Sequence, residues 1–367
     1  MSVNMNQNNY CIIMAGGVGA RFWPMSRKDH PKQFIDILGT GETLIQATFK
    51  RFLKICPAEN IYIVTNESYK KLVLEQLPLL NEAQVLCEPT RRNTAPCIAY
   101  ANYTILQRNP DANIVVAPSD HIILKEDVFT EVILAALNAT EKNDWLVTLG
   151  IQPNRPDTGY GYIQFEEKIT CETDNRIKKV KTFTEKPQLE MAKQFLASGD
   201  FLWNSGIFIW RLKTIMKSFE EHLPDVDQLF RAGIGKYATP DEPAFIDLTY
   251  SMCKSISIDY GVMEKAENVF VLSSDFGWSD LGTWGSLYDT RKKDDDANAI
   301  VGQNVMMYDS HNCIVNMPKD KLVVIHGLDG FIVVEEEGTL LICRKEEEQQ
   351  IRQFVNDVMI EKGEKYV

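Results

Sequence analysis

The sequence predicts an α/β fold, a doubly wound and mainly parallel sheet with helices on both faces, followed by a small β-rich domain. Three observations carry that expectation. Short apolar runs alternate with helical patterns through residue 149, and such alternation gives parallel strands covered on both sides. Beyond about residue 290 the texture changes to short β-like runs separated by Asp-Gly and Glu-Gly turns. The chain, at 367 residues, has room for one large domain and one small one.

The first strand is Tyr10-Cys-Ile-Ile-Met14, an apolar run that feeds the glycine loop starting at Ala15. Thr43 to Leu53 follows with apolar residues at helical spacing, then a second strand from Asn60 to Thr65 and a third from Gln84 to Cys87. Pro96 suits the first turn of a helix running to Arg108, because the missing N–H has no partner there anyway. Asn113 to Ala117 is a fourth strand, Glu126 to Thr140 a helix, and Trp145 to Leu149 a further strand. In sheets of this kind ligands bind at the carboxyl ends of the strands. The unusual residues gather there: the loop after Met14, Glu88 to Ala95, and Pro118-Ser119-Asp120-His121. Lys292 to Asp296 is charged and reads as a linker, so the expected domains are 1–290 and 297–367. The second holds β-like runs at Lys321 to Ile325, Phe331 to Glu335 and Thr339 to Cys343, and closes on a helix near Gln349 to Ile360.

Composition narrows the function. The residues are 44% hydrophobic and 25% charged, ordinary for a globular protein. A net charge of −12 argues against nucleic acid, which needs a basic face to displace counterions, yet leaves room for a few local cations around a small phosphate. Met1 to Tyr10 is polar and lacks the pattern of a signal peptide. No apolar run reaches the roughly 18 residues of a membrane span. The eight cysteines are scattered, with no Cys-x-x-Cys pair. Reduced thiols in a cytoplasmic enzyme away from any membrane are expected.

The loop Ala15-Gly16-Gly17-Val-Gly19-Ala-Arg21 lets backbone N–H groups approach a polyphosphate. It is neither a P-loop, lacking Gly-Lys-Ser/Thr, nor a dinucleotide fingerprint, since Phe22-Trp23-Pro24 interrupts any helix start. The wider stretch adds Trp23-Pro-Met-Ser-Arg27 and Pro31-Lys-Gln-Phe34. Later come Glu88-Pro89 with Arg92-Asn-Thr-Ala-Pro96, Pro118-Ser-Asp-His121, Thr158-Gly-Tyr-Gly-Tyr-Ile163 and Phe183-Thr-Glu-Lys-Pro187. Trp203-Asn-Ser-Gly206, Ser257-Ile-Asp-Tyr-Gly-Val-Met-Glu264 and Trp278-Ser-Asp-Leu-Gly-Thr-Trp284 complete the series. In this order the motifs resemble the sugar-1-phosphate nucleotidylyltransferases, densely from residue 10 to about 290, and Trp-Pro-x-Ser-Arg is similar to their mannose-1-phosphate guanylyltransferase branch.

The resemblance implies a Rossmann-like, GT-A-like catalytic domain and a short left-handed β-helix, which in relatives helps to build a dimer. It implies GTP and mannose 1-phosphate as substrates, GDP-mannose and pyrophosphate as products, and Mg²⁺ as cofactor. Long members carry a cupin domain with phosphomannose isomerase activity; with five scattered histidines and an early end, a short form with one activity is expected. The sugar phosphate is already ionised, so the chemistry needs cations to align two polyanions rather than a general base. By resemblance Arg21 grips the triphosphate, Lys32 sits at the α-phosphate, and Lys186 neutralises the sugar 1-phosphate. Ala15, Gly16, Gly17, Gly19, Glu88, Arg92, Asn93, Thr94, Ser119 and Asp120 hold the nucleotide. Gly159, Glu185 and Asn204 complete the sugar pocket.

Asp120 and Asp280 are the expected Mg²⁺ ligands, since a hard cation wants carboxylate and phosphate oxygens together. His121 is expected as a packing neighbour, imidazole suiting Mg²⁺ poorly. The loop from Glu88 to Thr94 is expected to read guanine's two donors, through Glu88, its only carboxylate, or through its backbone carbonyls. No role is assigned to Asp259, Tyr260 or Glu264. Two other functions compete: the same reaction on another hexose 1-phosphate or nucleotide, and a non-catalytic nucleotide-sugar sensor.

Overall fold

Every apolar run named above becomes a strand whose bounds differ from those expected by a residue or two. A computed structural model describes residues 5–170 and 174–367; Met1 to Asn4 and Cys171 lie outside the described residues. Nine strands form one sheet. Their spatial order is Val85–Glu88, Ile61–Asn66, Asn9–Met14, Asn113–Pro118, Phe201–Arg211, Leu146–Ile151, Val269–Ser274, Ile177–Glu185, Gly161–Thr170. Tyr10 and Ile12, Tyr62 and Val64, and Ile114 and Val116 alternate onto one face, where they share a core with the helix Thr94–Leu106. That helix is buried from Ala95 to Ile105, which explains its apolar texture on all sides.

The sheet is mainly parallel, as expected, with two strands, Phe201–Arg211 and Ile177–Glu185, running against the rest. The first four strands pair in parallel, as do Leu146–Ile151 and Val269–Ser274. Phe201–Arg211 runs antiparallel between Asn113–Pro118 and Leu146–Ile151, and the hairpin of Gly161–Thr170 with Ile177–Glu185 adds an antiparallel edge. A strand buried on both faces reads as a continuous apolar run whichever way it points, so its direction is not encoded in the pattern.

The chain divides into two compact units that cut across the expected boundary near residue 290. One holds residues 1–16, 46–119 and 123–278, with the whole nine-stranded sheet. The other holds 17–45, 120–122 and 279–367, so the glycine loop groups with the C-terminal strands. Trp23 Nε1 donates to the Tyr366 carbonyl at 2.6 Å, Arg27 to the Glu336 carbonyl at 2.9 Å, and Arg291 to the Ile37 carbonyl at 2.9 Å.

In this second unit Ala299–Val301, Ile314–Asn316 and Phe331–Glu336 pair in parallel, and so do Val305–Tyr308 and Val323–His326. Thr339–Arg344 closes the stack antiparallel to Phe331–Glu336. Parallel rungs of three to six residues separated by tight turns give a β-helix-like coil. Cys313, Val315, Ile325 and Val333 fill one cluster in it. Ile314, Ile332, Val334 and Leu341 pack with Phe22, Trp23, Trp284 and Ile351 of the helix Ile351–Lys362 in another. The expected linker is an ordered turn, its Asp294 carboxylate accepting from the backbone N–H groups of Asp296 and Asn298.

Candidate active site

In the second unit the glycine loop is tied down by its own neighbours. Gly19 has φ of 69°, and a Cβ there would lie 2.5 Å from the Lys32 Cβ, so only glycine fits. The Ser26 hydroxyl donates to the Val18 carbonyl, and Gln33 Nε2 to the Gly17 carbonyl at 2.9 Å. A Cβ placed on Gly17 would meet no heavy atom of the described residues within 4 Å.

Lys32 is nearly buried, and its ammonium meets three acceptors. They are the Asp120 carboxylate at 2.8 Å, the Asp280 carbonyl at 3.1 Å and the Leu281 carbonyl at 2.8 Å. The turn after Asp280 is held by its own carboxylate, which accepts from Gly282 N–H at 3.0 Å. Asp120 and Asp280, far apart in sequence, are thus gathered around one ammonium. Burial would raise the Asp120 carboxyl, but Lys32 and then His121 outweigh it and hold the group below its ordinary value. Both residues offer hard oxygen donors of the kind a divalent cation takes. No cluster of three or more metal-ligating side chains occurs among the described residues. Arg21 is half-buried, and its Nε has no hydrogen-bond partner among the described residues.

The first unit carries the other predicted residues. Ala15 continues the first strand, its N–H donating to the Val64 carbonyl at 2.8 Å. Glu88 ends the strand Val85–Glu88 as a buried carboxylate: Tyr250 donates to its Oε1 at 3.0 Å, and a Cβ on Gly16 would lie 3.5 Å from its Oε2. Burial pushes this carboxyl up to about 7, although Tyr250 and Arg91 both pull it down. Arg92 donates to the Tyr250 carbonyl at 3.1 Å, the Arg92 carbonyl accepts from Ile256 N–H, and the Thr94 hydroxyl accepts from Ile258 N–H at 2.8 Å. Asn93, at φ 69°, caps the helix Thr94–Leu106. Arg92 and Thr94 therefore stitch their loop to residues 256–258. Ser119 is buried, its N–H donating to the Met14 carbonyl.

Glu185 and Lys186 form an ion pair at the end of Ile177–Glu185, with Lys186 at φ 46° and its ammonium mostly exposed. A Cβ on Gly161 would sit 2.5 Å from the Glu185 carboxylate, so this glycine makes room for it. Gly159 N–H donates to Asp157 at 2.8 Å. Tyr160 packs against Trp203 and Trp278 with ring centroids 4.9 and 5.2 Å away, forming an apolar aromatic wall. The Asn204 amide oxygen accepts from Gly206 N–H at 3.1 Å and Thr148 at 3.2 Å, while its amide donates to Asp259 at 2.7 Å.

Asp259 is a residue whose part the sequence did not reveal. It opens a π-helical turn, Asp259–Met263, a local irregularity often found at functional sites. Burial raises its carboxyl, Asn204 opposes that, and Glu185 adds to the rise. The carboxyl of Glu264 is raised by burial and then by Asp259 and Glu185. The signal was the Asp within a motif stretch; its partner Asn204 could not be read from spacing.

Comparisons with known proteins show which family the chain resembles. A family model described as nucleotidyl transferase matches residues 10–297, and one described as a MannoseP isomerase/GMP-like beta-helix domain matches residues 303–358. The alginate biosynthesis protein AlgA of Pseudomonas aeruginosa is 35% identical over 95% of this chain and 71% of its own length. A mannose-1-phosphate guanylyltransferase of Escherichia coli is 35% identical over 94% of this chain and 72% of its own. The crystal structure of a mannose-1-phosphate geranyltransferase from Thermus thermophilus superposes with a TM-score of 0.85 at 29% identity, covering 96% of this chain and 99% of that one. No helix among the described residues is long and apolar enough to cross a membrane.

Proposed function

The chain belongs to the nucleotidyl transferase family, and from that premise we propose that it is a mannose-1-phosphate guanylyltransferase. A phosphate oxygen of mannose 1-phosphate attacks the α-phosphorus of GTP. The new O–P bond forms as the bond from the α-phosphorus to the bridging oxygen breaks, and pyrophosphate leaves with that electron pair. The observation that carries the reading is the Glu185–Lys186 pair beside Asn204 and the Tyr160 wall, a combination suited to a phosphorylated sugar.

The residues divide the work. Lys186 supplies a cation for the sugar phosphate, and Glu185 and Asn204 meet hydroxyls. The backbone from Gly16 to Gly19 and the Arg21 guanidinium take the triphosphate. Glu88 accepts from guanine N1–H and the 2-amino group. Lys32 keeps Asp120 ionised and holds it beside the Asp280 turn. The family generally uses a divalent metal; here Mg²⁺ would be held by Asp120 and Asp280, and when bound it supplies charge neutralisation between the two phosphate groups. A cytoplasmic location fits the seven described cysteines, all of them free. A homodimer through the β-helix would cover the exposed neighbours Met306 and Val324, which sizing of the pure protein tests.

Purified protein incubated with GTP, mannose 1-phosphate and Mg²⁺ should yield GDP-mannose and one pyrophosphate per turnover. Replacing mannose 1-phosphate by glucose 1-phosphate, or GTP by ATP, UTP or dTTP, should slow the reaction. Faster turnover of any of these pairs would reassign the substrates, and no turnover of any would leave a sensor.

A further inference from the structure

We propose that Arg352, on the helix Ile351–Lys362, is a second polyphosphate-binding residue that works beside Arg21 on the pyrophosphate portion of the nucleotide. The proposal rests on the guanylyltransferase reading for the identity of the nucleotide, and on the second unit alone for its geometry.

The helix Ile351–Lys362 packs on the short turn Ala20–Phe22 that carries Arg21. Ile351 is fully buried and shares one cluster with Phe22, Trp23 and Trp284, which fixes the start of the helix against the glycine loop. Arg352 follows Ile351 directly and is exposed. The two guanidinium groups are near enough that, after burial, the charge of Arg352 is the next influence lowering the Arg21 value. Like charges held side by side are unfavourable unless something anionic joins them. The buried Arg21 Nε, which has no hydrogen-bond partner among the described residues, is a donor that such an anion would satisfy.

The nearby carboxylates are already committed. Glu348 accepts from Gly285 N–H at 2.7 Å and from Thr283, and so caps the helix Trp284–Thr290. A Cβ on Gly285 would come 3.2 Å from its Oε1, so the site is shaped around that carboxylate. Asp280 is engaged by Gly282 N–H. The charges of Asp280 and Glu348 partly offset the lowering of the Arg21 value, and a ligand with several phosphate oxygens would accept from both arginines. Inorganic pyrophosphate is the smallest such ligand that the reaction releases.

Calorimetric titration of the full-length protein with inorganic pyrophosphate and Mg²⁺ tests this directly. Arg352→Ala should weaken pyrophosphate binding about tenfold or more and leave mannose 1-phosphate binding unchanged. Arg352→Lys, which keeps the charge but loses the fork, should recover part of the loss. Because Arg352 is exposed, the melting temperature of both variants should match the parent's. Equal pyrophosphate affinity in Arg352→Ala and the parent would overturn the proposal, as would no measurable binding by the parent or an equal loss for both ligands. A parent that binds pyrophosphate through Arg352 yet makes no GDP-mannose would instead remove the guanylyltransferase reading and leave this site standing.

Discussion

The Lys32 ammonium stands 2.8 Å from the Asp120 carboxylate, and its other two N–H groups meet the carbonyls of Asp280 and Leu281. All three donors are therefore used inside the protein, and an α-phosphate would have to displace one acceptor to be reached. The bonds make Lys32 the counter-charge that lets Asp120 stay ionised. Lys32→Gln should leave that carboxylate uncompensated, lowering both the melting temperature and kcat. Adding Asp120→Asn removes the stranded charge, so the double variant should melt higher than Lys32→Gln alone while staying inactive. A double variant that melts lower, by the sum of the two single losses, would show that the ion pair contributes nothing.

Asp120→Asn and Asp280→Asn keep shape and remove one charge each. Each should lower kcat by about two orders of magnitude or more at ordinary Mg²⁺, with the fold intact by circular dichroism. Two carboxylates hold Mg²⁺ weakly without phosphate oxygens, so titration of the free protein should show little binding and GTP should strengthen it. Full turnover by either variant would remove these residues from the metal site.

Asp259 and Asn204 make a linked prediction for the sugar end. The Asn204 oxygen is occupied by Gly206 and Thr148, and one amide hydrogen by Asp259, which leaves the second hydrogen for a hydroxyl. Asp259→Leu removes the acceptor that anchors the amide nitrogen, so the donor is held only through the Asn204 oxygen. It should raise KM for mannose 1-phosphate about tenfold and change KM for GTP little. Parallel rises in both would make Asp259 a general packing residue.

These relationships divide sharply in how visible they were beforehand. The strand Asn113–Pro118 was legible almost to the residue, because a short apolar run bounded by polar residues has few alternatives. The direction of Phe201–Arg211 was not, since it is buried on both faces. Motif context drew attention to Lys32, Asp120 and Glu185, but it could not show that Lys32 spends its donors on Asp120 and two carbonyls. Contacts between residues far apart in sequence leave no local period. Arg352 is hidden for another reason: an arginine on an exposed helical face reads as solvated until the helix is seen to pack on the Arg21 turn.

Glu88 offers a test in which pH does the work. Its carboxyl is pushed up to about 7, first by burial, with Tyr250 from the helix Glu242–Met252 and the adjacent Arg91 pulling the other way; Cys97 of the helix Thr94–Leu106 also faces it. A carboxyl raised above its ordinary value binds its proton more tightly when folded. Its contribution to stability is complete below about 4.5 and is lost as pH climbs through 7. At about 1.4 kcal/mol per pH unit, the loss is on the order of 3 kcal/mol. Glu88→Gln has no charge to bury, so its stability should fall less between pH 5 and pH 8 than the parent's. Catalysis should move the other way. Guanine's two donors want the ionised carboxylate, so KM for GTP should fall as pH rises through about 7, while KM for ATP stays level. In Glu88→Gln that pH dependence should vanish and the preference for GTP over ATP should shrink by up to about two decades. An unchanged GTP/ATP ratio of kcat/KM in Glu88→Gln would take Glu88 out of base recognition and leave it as a buried partner of Tyr250.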